Sequence, residues 1–520
     1  MEYTRWAVVF WVSLGLTVLS QDPVFAKGDA GAGKGVFEKR CQGCHGEKGD
    51  GKGLAYVFLY PKPLDFTSGK FRLRSTPSGE MPTDDDLFKT LTNGIPGSAM
   101  PSFAYIADDE RWNAIQYIKT LAVYLDEEDG KTYNLFELRG TPHPLSVTTE
   151  PPMAAETLAK AKVVYEQEKL GCIKCHGRLG KGDGPSAQEQ VDDWGRPIKV
   201  RDFTTGVFKG GNTNKDIFLR FATGLSGTPM PAFSGEQISD EDRWLLVQYV
   251  QSLKNPDIRL ATPPADSAIV ATQTSEDIPT DNPEATVWQA AKEYEIPLNR
   301  LWQPEIIPMH VRVRVLCNNK DIAIHLEWDD ATQDMGYSQP QTFRDGAAVQ
   351  FSPSGEFPFI GMGNGKNMTG AEIPVNIWHW KGDWQADSGS YTDIKQVYPS
   401  MHVDTYYFPK EIQDKTYLAG RAAGNLFPSD HRPSVIENLN AVGFGSLESK
   451  PANLQNAQGN GAWSDNKWQV VIRRSLESQE AKDVKFSTGA TIPISFAVWN
   501  GAHQDRDGIK FVSTWFKLKM

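Results

Sequence analysis

Two short strings set the chemistry: CQGCHGEKGDGKG from Cys41 and CIKCHGRLGKGDGPS from Cys172. In each, two thiols stand one helical turn apart with a histidine directly after them. Such a pair can add to the two vinyl groups of one haem, placing the adjacent imidazole, His45 or His176, under the iron. Half a zinc site, a thioredoxin-like redox pair and a disulfide are the competitors. Zinc needs a second ligand pair, which neither stretch offers. A redox pair has no use for the histidine twice. Two covalent haem c groups, on Cys41 with Cys44 and on Cys172 with Cys175, are the favoured reading.

The sixth iron ligand follows from an internal repeat. DFTSGKF at 65–71 matches DFTTGVF at 202–208, NGIPGSAMPSF matches TGLSGTPMPAF, and IADDERWNAIQYIKTL matches ISDEDRWLLVQYVQSL. From motif histidine to methionine is 55 residues in one copy (His45 to Met100) and 54 in the other (His176 to Met230). A loop methionine is usually packing; two at matched distance are better explained as axial ligands. A soft thioether favours reduced iron and closes it to substrates.

The elements that must hold these groups read as helical. Phe37 and Tyr165 mark a buried face on a helix before each cysteine pair. Trp112, Ile115, Ile118 and Leu121, and in the second copy Trp244, Val247, Val250 and Leu253, have the spacing of a helix laid on a core. Ser239 with Asp242 resembles a capping box. Both units resemble class I cytochrome c domains, over 28–145 and 153–256, and that resemblance implies an all-α cytochrome c fold for each.

The rest of the chain changes texture. Residues 257–285 are rich in Pro, Thr, Ala and Asp without helical period and read as a linker. Beyond them HVRVRV and IAIHLEW alternate around an NNKD turn at 318–321, a hairpin signal. AAVQF, WQVVIRR and ISFAVWN add strands, giving an antiparallel sandwich over 286–520. Cys317, alone on a strand, reads as a small buried residue. The whole is thus expected to be multidomain, two all-α domains followed by an all-β antiparallel sandwich.

The 520 residues carry 65 acidic against 54 basic side chains, which argues against nucleic-acid binding. Arg5, the apolar run 7–19 and Val24-Phe25-Ala26 resemble a cleavable export signal over 1–26; the run falls short of the about 20 apolar residues a membrane span needs. The expected location is periplasmic, with no transmembrane segment beyond the signal.

IPLNRLWQP, VRVRVLCNNKDIAIHLEWDD, FRDGAAVQFSP, FPFIGMGN, VNIWHWKGDWQ and FAVWNGAHQDRDGIKFVSTWF together resemble the haem-binding γ subunit of ethylbenzene dehydrogenase and its relatives. Those are electron-transfer subunits of exported molybdoenzymes of the type II dimethyl-sulfoxide-reductase family, with nitrite oxidoreductase and nitrate reductase γ-type subunits nearest. The resemblance implies one non-covalent haem b between Met362 and Lys510; among the residues themselves His310, His379 and His503 are the other possible ligands. It also implies an insertion around 386–465, and as partners a molybdopterin catalytic subunit, an iron–sulfur subunit and a soluble or membrane-bound carrier. Under this reading the chain is a non-catalytic conduit. The partner would dock on the sandwich near haem b, and the helical units would swing on the linker. A dihaem peroxidase-like enzyme, or a cytochrome with a carbohydrate-binding sandwich, are the alternatives.

Overall fold

A computed structural model describes residues 27–520 apart from 234, 303–307, 337–338, 391, 393, 403–425 and 427–431. The export signal expected over 1–26 lies outside the described residues.

The first helical unit is built from helices Ala30–Arg40, Gln42–His45, Asp84–Asn93 and Asp108–Leu121. The second repeats them as Ala155–Tyr165, Cys172–His176, Asn214–Thr223 and Asp240–Ser252. The starts are capped by side chains. Thr83 and Asp86 form a reciprocal capping box, and Ser239 Oγ accepts from the Asp242 N–H at 3.0 Å, satisfying amides that have no partner inside the helix. Phe37 and Tyr165 are fully enclosed. At Gly33 a side chain would collide with the Asn113 carbonyl, so the first and last helices can cross closely only over a glycine. The first unit departs from an all-helical plan by a small hairpin, Val123–Leu125 against Thr132–Asn134.

The C-terminal half is a long sheet whose neighbours run 448–449, 436–441, 375–381, 346–351, 491–499, 511–512, 294–300, 309–317, 321–329, 467–475 and 458–464, each adjacent pair antiparallel. It folds onto itself around one core. Trp380 from one end of that path meets Trp468 from the other at 4.7 Å between ring centres and Trp328 at 6.1 Å. Burying these large apolar surfaces face to face drives the two halves together. The NNKD turn joins strands 309–317 and 321–329, where Asn318 Oδ1 accepts from the Asp321 N–H at 2.8 Å. Cys317 is buried and unlinked.

Two stretches differ from the sequence reading. Part of the expected linker is woven into the sandwich: Ala268–Val270 pairs in parallel with 517–519, Thr272–Gln273 pairs in parallel with 316–317, and Ile269 and Ile278 are fully buried. Isolated apolar residues in a polar stretch carry no periodicity, so the stretch does not look like strand. The expected insertion likewise contains Ile436–Ala441, a buried strand paired in register with Val375–Lys381.

The helical units are not free to swing. Leu91, Phe103, Tyr105, Ile106 and Ile115 of the first unit form one apolar cluster with Val375, Ile377, Leu439, Ala441 and Trp515 of the sandwich. Thr514 Oγ1 donates to the Ser102 carbonyl at 2.5 Å, Asn364 Nδ2 to the Lys39 carbonyl at 2.9 Å, and the Tyr60 N–H to the Leu301 carbonyl at 3.0 Å. The second unit keeps its own core and docks on the first. Arg72 pairs with Asp192 at 3.2 Å, Lys70 with Asp193 at 2.5 Å, Lys89 with Asp216, and Arg74 Nη2 donates to the Thr223 carbonyl at 2.8 Å.

Candidate haem sites

In both units the CxxCH strings lie on short helices that bring the thiols and the histidine to the inside of the unit. Burial pushes the Cys41 and Cys44 thiols up to about 12 and that of Cys172 to about 11, so they are neutral, and none is disulfide-linked. Among the described residues no three or more His, Cys, Asp or Glu side chains gather to hold a bare metal ion. Each string thus offers two unlinked thiols with a histidine directly after them, the set that thioether attachment of a porphyrin needs.

The histidines are oriented alike. His45 Nδ1 donates to the Leu64 carbonyl at 3.0 Å and His176 Nδ1 to that of Arg201 at 3.2 Å. Each ring stacks on a phenylalanine, Phe66 or Phe203, with centres 4.4 Å apart. With Nδ1 engaged, Nε2 is the lone pair left for iron. Burial depresses both histidines to about 4, holding them neutral as a metal ligand must be.

The methionine loops also match. The Ile95 N–H bonds the Met100 carbonyl at 3.1 Å and the Leu225 N–H bonds that of Met230 at 3.1 Å; Phe103 and Phe233 close each loop onto Leu91 and Phe221 at 3.0 and 2.9 Å. These hydrogen bonds give the two methionine loops the same backbone course.

The sandwich site shares space with the first unit. One cavity of about 810 Å³ is lined by Cys41, Cys44, His45 and Met100 and also by Met362, His379 and Lys510. Met362 sits at φ 70°, its N–H bonded to the Ile360 carbonyl and its carbonyl accepting from Gly443 at 2.7 Å. A left-handed non-glycine backbone costs about 1–3 kcal/mol and persists where its surroundings impose it. Lys510 Nζ donates to the Asp507 carbonyl at 3.1 Å and lies 4.8 Å from the centre of the Trp499 ring. Burial lowers the lysine to about 8, so its neutral, coordinating form is within reach. His379 stacks on the same Trp499 ring at 4.7 Å. Met368 is buried, its sulfur 3.8 Å from Asn364 Nδ2, and like His310 and His503 it is not among the cavity's lining residues.

Sequence reasoning missed Phe359. Its ring covers Gly43, inside the first CxxCH string, so closely that a Cβ there would lie 2.6 Å from Phe359 Cζ. The glycine between the cysteines was the available signal, but only the fold shows what presses on it.

The ethylbenzene dehydrogenase family matches residues 285–510, and the family of cbb3-type cytochrome c oxidase subunit III matches 28–118 and again 156–250. The chain joins a cytochrome c region to an ethylbenzene dehydrogenase-type domain. This cytochrome–ethylbenzene dehydrogenase-type chain is 26% identical over 281 residues to the γ subunit of dimethylsulfide dehydrogenase from Rhodovulum sulfidophilum, spanning 52% of this chain and 86% of that one. It is 25% identical over 261 residues to the haem subunit assigned to a respiratory nitrate reductase in Haloferax mediterranei, spanning 49% and 72%. A chain of the Kuenenia stuttgartiensis reducing HAO-like protein complex is 43% identical, with 44% of this chain and 98% of that one covered and a TM-score of 0.41. Among the described residues no helix is long and apolar enough to cross a membrane.

Proposed function

We propose that this chain is a multihaem electron-transfer subunit of an exported molybdenum oxidoreductase, of the kind that handles nitrite or nitrate. It would relay electrons between an iron–sulfur subunit and a periplasmic or membrane-bound carrier. The observation that carries the reading is the common cavity: two side-chain sets, each suited to an iron porphyrin, open onto one apolar space of about 810 Å³. Bound haem supplies one-electron redox chemistry, which the polypeptide lacks.

In this reading two cytochrome c domains carry covalent haem c, on Cys41 and Cys44 with His45 and Met100, and on Cys172 and Cys175 with His176 and Met230. The sandwich holds one haem b between Met362 and Lys510. The hydrogen bonds at His45 and His176 fix the ring tautomer, and the methionine loops exclude water and small substrates from the opposite face. Phe359 and Ile360 pack between the two sets in the shared cavity. Because the first domain covers the cavity face of the sandwich, the order of centres is haem b, first haem c, second haem c, and an external carrier meets the second domain.

The test is pyridine haemochrome analysis of the purified chain, expected to give two haems c and one extractable haem b. Lys510→Ala or Met362→Ala should abolish or shift the haem b signal alone. Absence of haem b, or a high-spin open centre with peroxidase turnover, would sink the proposal.

A further inference from the structure

The seam between the two helical units holds cations that the ligand sets leave without work. Arg72 and Lys209 are equivalent in the repeat, each following the phenylalanine that ends DFTSGKF or DFTTGVF. The fold brings both to the same place, lining the part of the cavity that reaches Leu225 and Thr228 of the second unit. Arg201 joins them. Its carbonyl holds His176 Nδ1, so its side chain springs from beside the second site, yet its Nη1 and Nη2 are sealed from solvent with no hydrogen-bond partner among the described residues. The matching position in the first unit is Leu64, which has no charge to offer.

The charges are only partly balanced from within: Asp192 stands against Arg72 and Asp202 against Arg201, while Lys209 has no acid of its own. Arg72 spends Nη2 on Asp192 at 3.2 Å, but its Nε is buried without a partner. Asp202, beside Arg201, turns its Oδ1 to the Thr204 N–H and hydroxyl at 2.8 and 2.7 Å. Lys209 has no ion pair among the described residues, and burial, then Arg201, then Arg72, depress it to about 7. Lys209 stands against both Arg201 and Arg72 in a desolvated seam, and such like charges are costly unless an anion joins them. Two forked guanidiniums and an ammonium suit planar carboxylates.

We infer that Arg72, Arg201 and Lys209 form one carboxylate seat, shared across the seam, that takes haem propionates from both cytochrome c units. The inference rests on the haem c reading above. It makes the second unit a source of positive charge for the first unit's haem, which lacks a counterpart of Arg201. A bound carboxylate also returns Lys209 to its charged form, since an opposite charge at close range favours the ammonium. These are positioning residues, and they couple the two haem c potentials.

The test is a spectroelectrochemical titration of the full-length holoprotein, with Met230→His as a background that marks the second-unit haem by its altered spectrum. Removing a cation leaves propionate charge unopposed, which favours oxidised iron. Lys209→Met is therefore expected to move both haem c midpoints downward, with haem content and the haem b midpoint unchanged, while Lys209→Arg leaves all three in place. Arg201→Lys, a milder change, should shift the same two midpoints less. A shift confined to one haem c, or no shift in either variant at full haem content, overturns the shared seat. So do wild-type midpoints that follow added phosphate at constant ionic strength, which would assign the seam to a free inorganic anion. A preparation without two haems c instead refutes the reading beneath it, and the haemochrome assay separates the two failures.

Discussion

The two helical units have nearly the same interior and very different surroundings. Their histidines, stacked phenylalanines and methionine loops agree to within about a tenth or two of an ångström in their hydrogen bonds. Yet the first unit gives its apolar residues to a cluster shared with the sandwich, whereas the second buries its own core and touches the first mainly through ion pairs. The difference teaches that a duplicated fold can keep its chemistry while its outer face is recast. One copy became a wall of the neighbouring site; the other stayed a module held by charge and a few buried hydrogen bonds.

The largest way to break the comparison is to prevent haem attachment in each unit separately. Cys41→Ser with Cys44→Ser should lower the melting temperature of the whole chain and expose the sandwich to protease, because the empty pocket opens into the shared cavity. Cys172→Ser with Cys175→Ser should leave the protease pattern of the sandwich unchanged. Equal damage from both pairs would show that the units are alike in context as well as in interior.

Phe359→Ala comes next, with an expected loss of about 3–5 kcal/mol in urea unfolding, as for other buried phenylalanines. On the proposed reading, the absorption changes should be confined to haem b and the first haem c. A response from the second haem c would contradict the docking order.

The sandwich should also differ from the helical units in its response to pH. Burial, reinforced by Asp330, raises Asp345 from 3.8 to about 7 against donors at Gly501, Asp334 and Trp468. An acid whose folded value stands above its unfolded one takes up a proton on folding. Its contribution is full below about 4 and is lost as pH climbs through 7. Denaturant titrations followed by tryptophan fluorescence should show the sandwich weakening over that interval; strengthening would contradict the environment assigned to Asp345.

The smallest effect belongs to the seam's outer rim. Lys70 and Asp193 are each about half exposed, so Lys70→Ala should cost no more than about 0.2–1 kcal/mol, screened by salt, in a double-mutant cycle with Asp193→Ala. A larger coupling would mean the second unit is held more firmly than its contacts suggest.

Residue types and spacing carried the local chemistry. CxxCH demands a histidine next to its thiols, the repeat pairs Met100 with Met230, and alternation around the NNKD turn leads to a hairpin, since each is a relation among residues a few positions or one repeat apart. The helical region followed by an antiparallel sheet was legible for the same reason. Phe359 over Gly43, the meeting of Arg72 with Lys209, and Ile269 buried in the sheet were not. Each joins residues between about 130 and over 300 positions apart, and their contact depends on how preformed surfaces pack. The sequence therefore determined the residue types and spacings on which the proposed iron ligation rests. Tertiary packing alone decided that the first helical unit closes the sandwich's cavity and that the second rides on the first, because buried area and charge between domains leave no periodic trace along the chain.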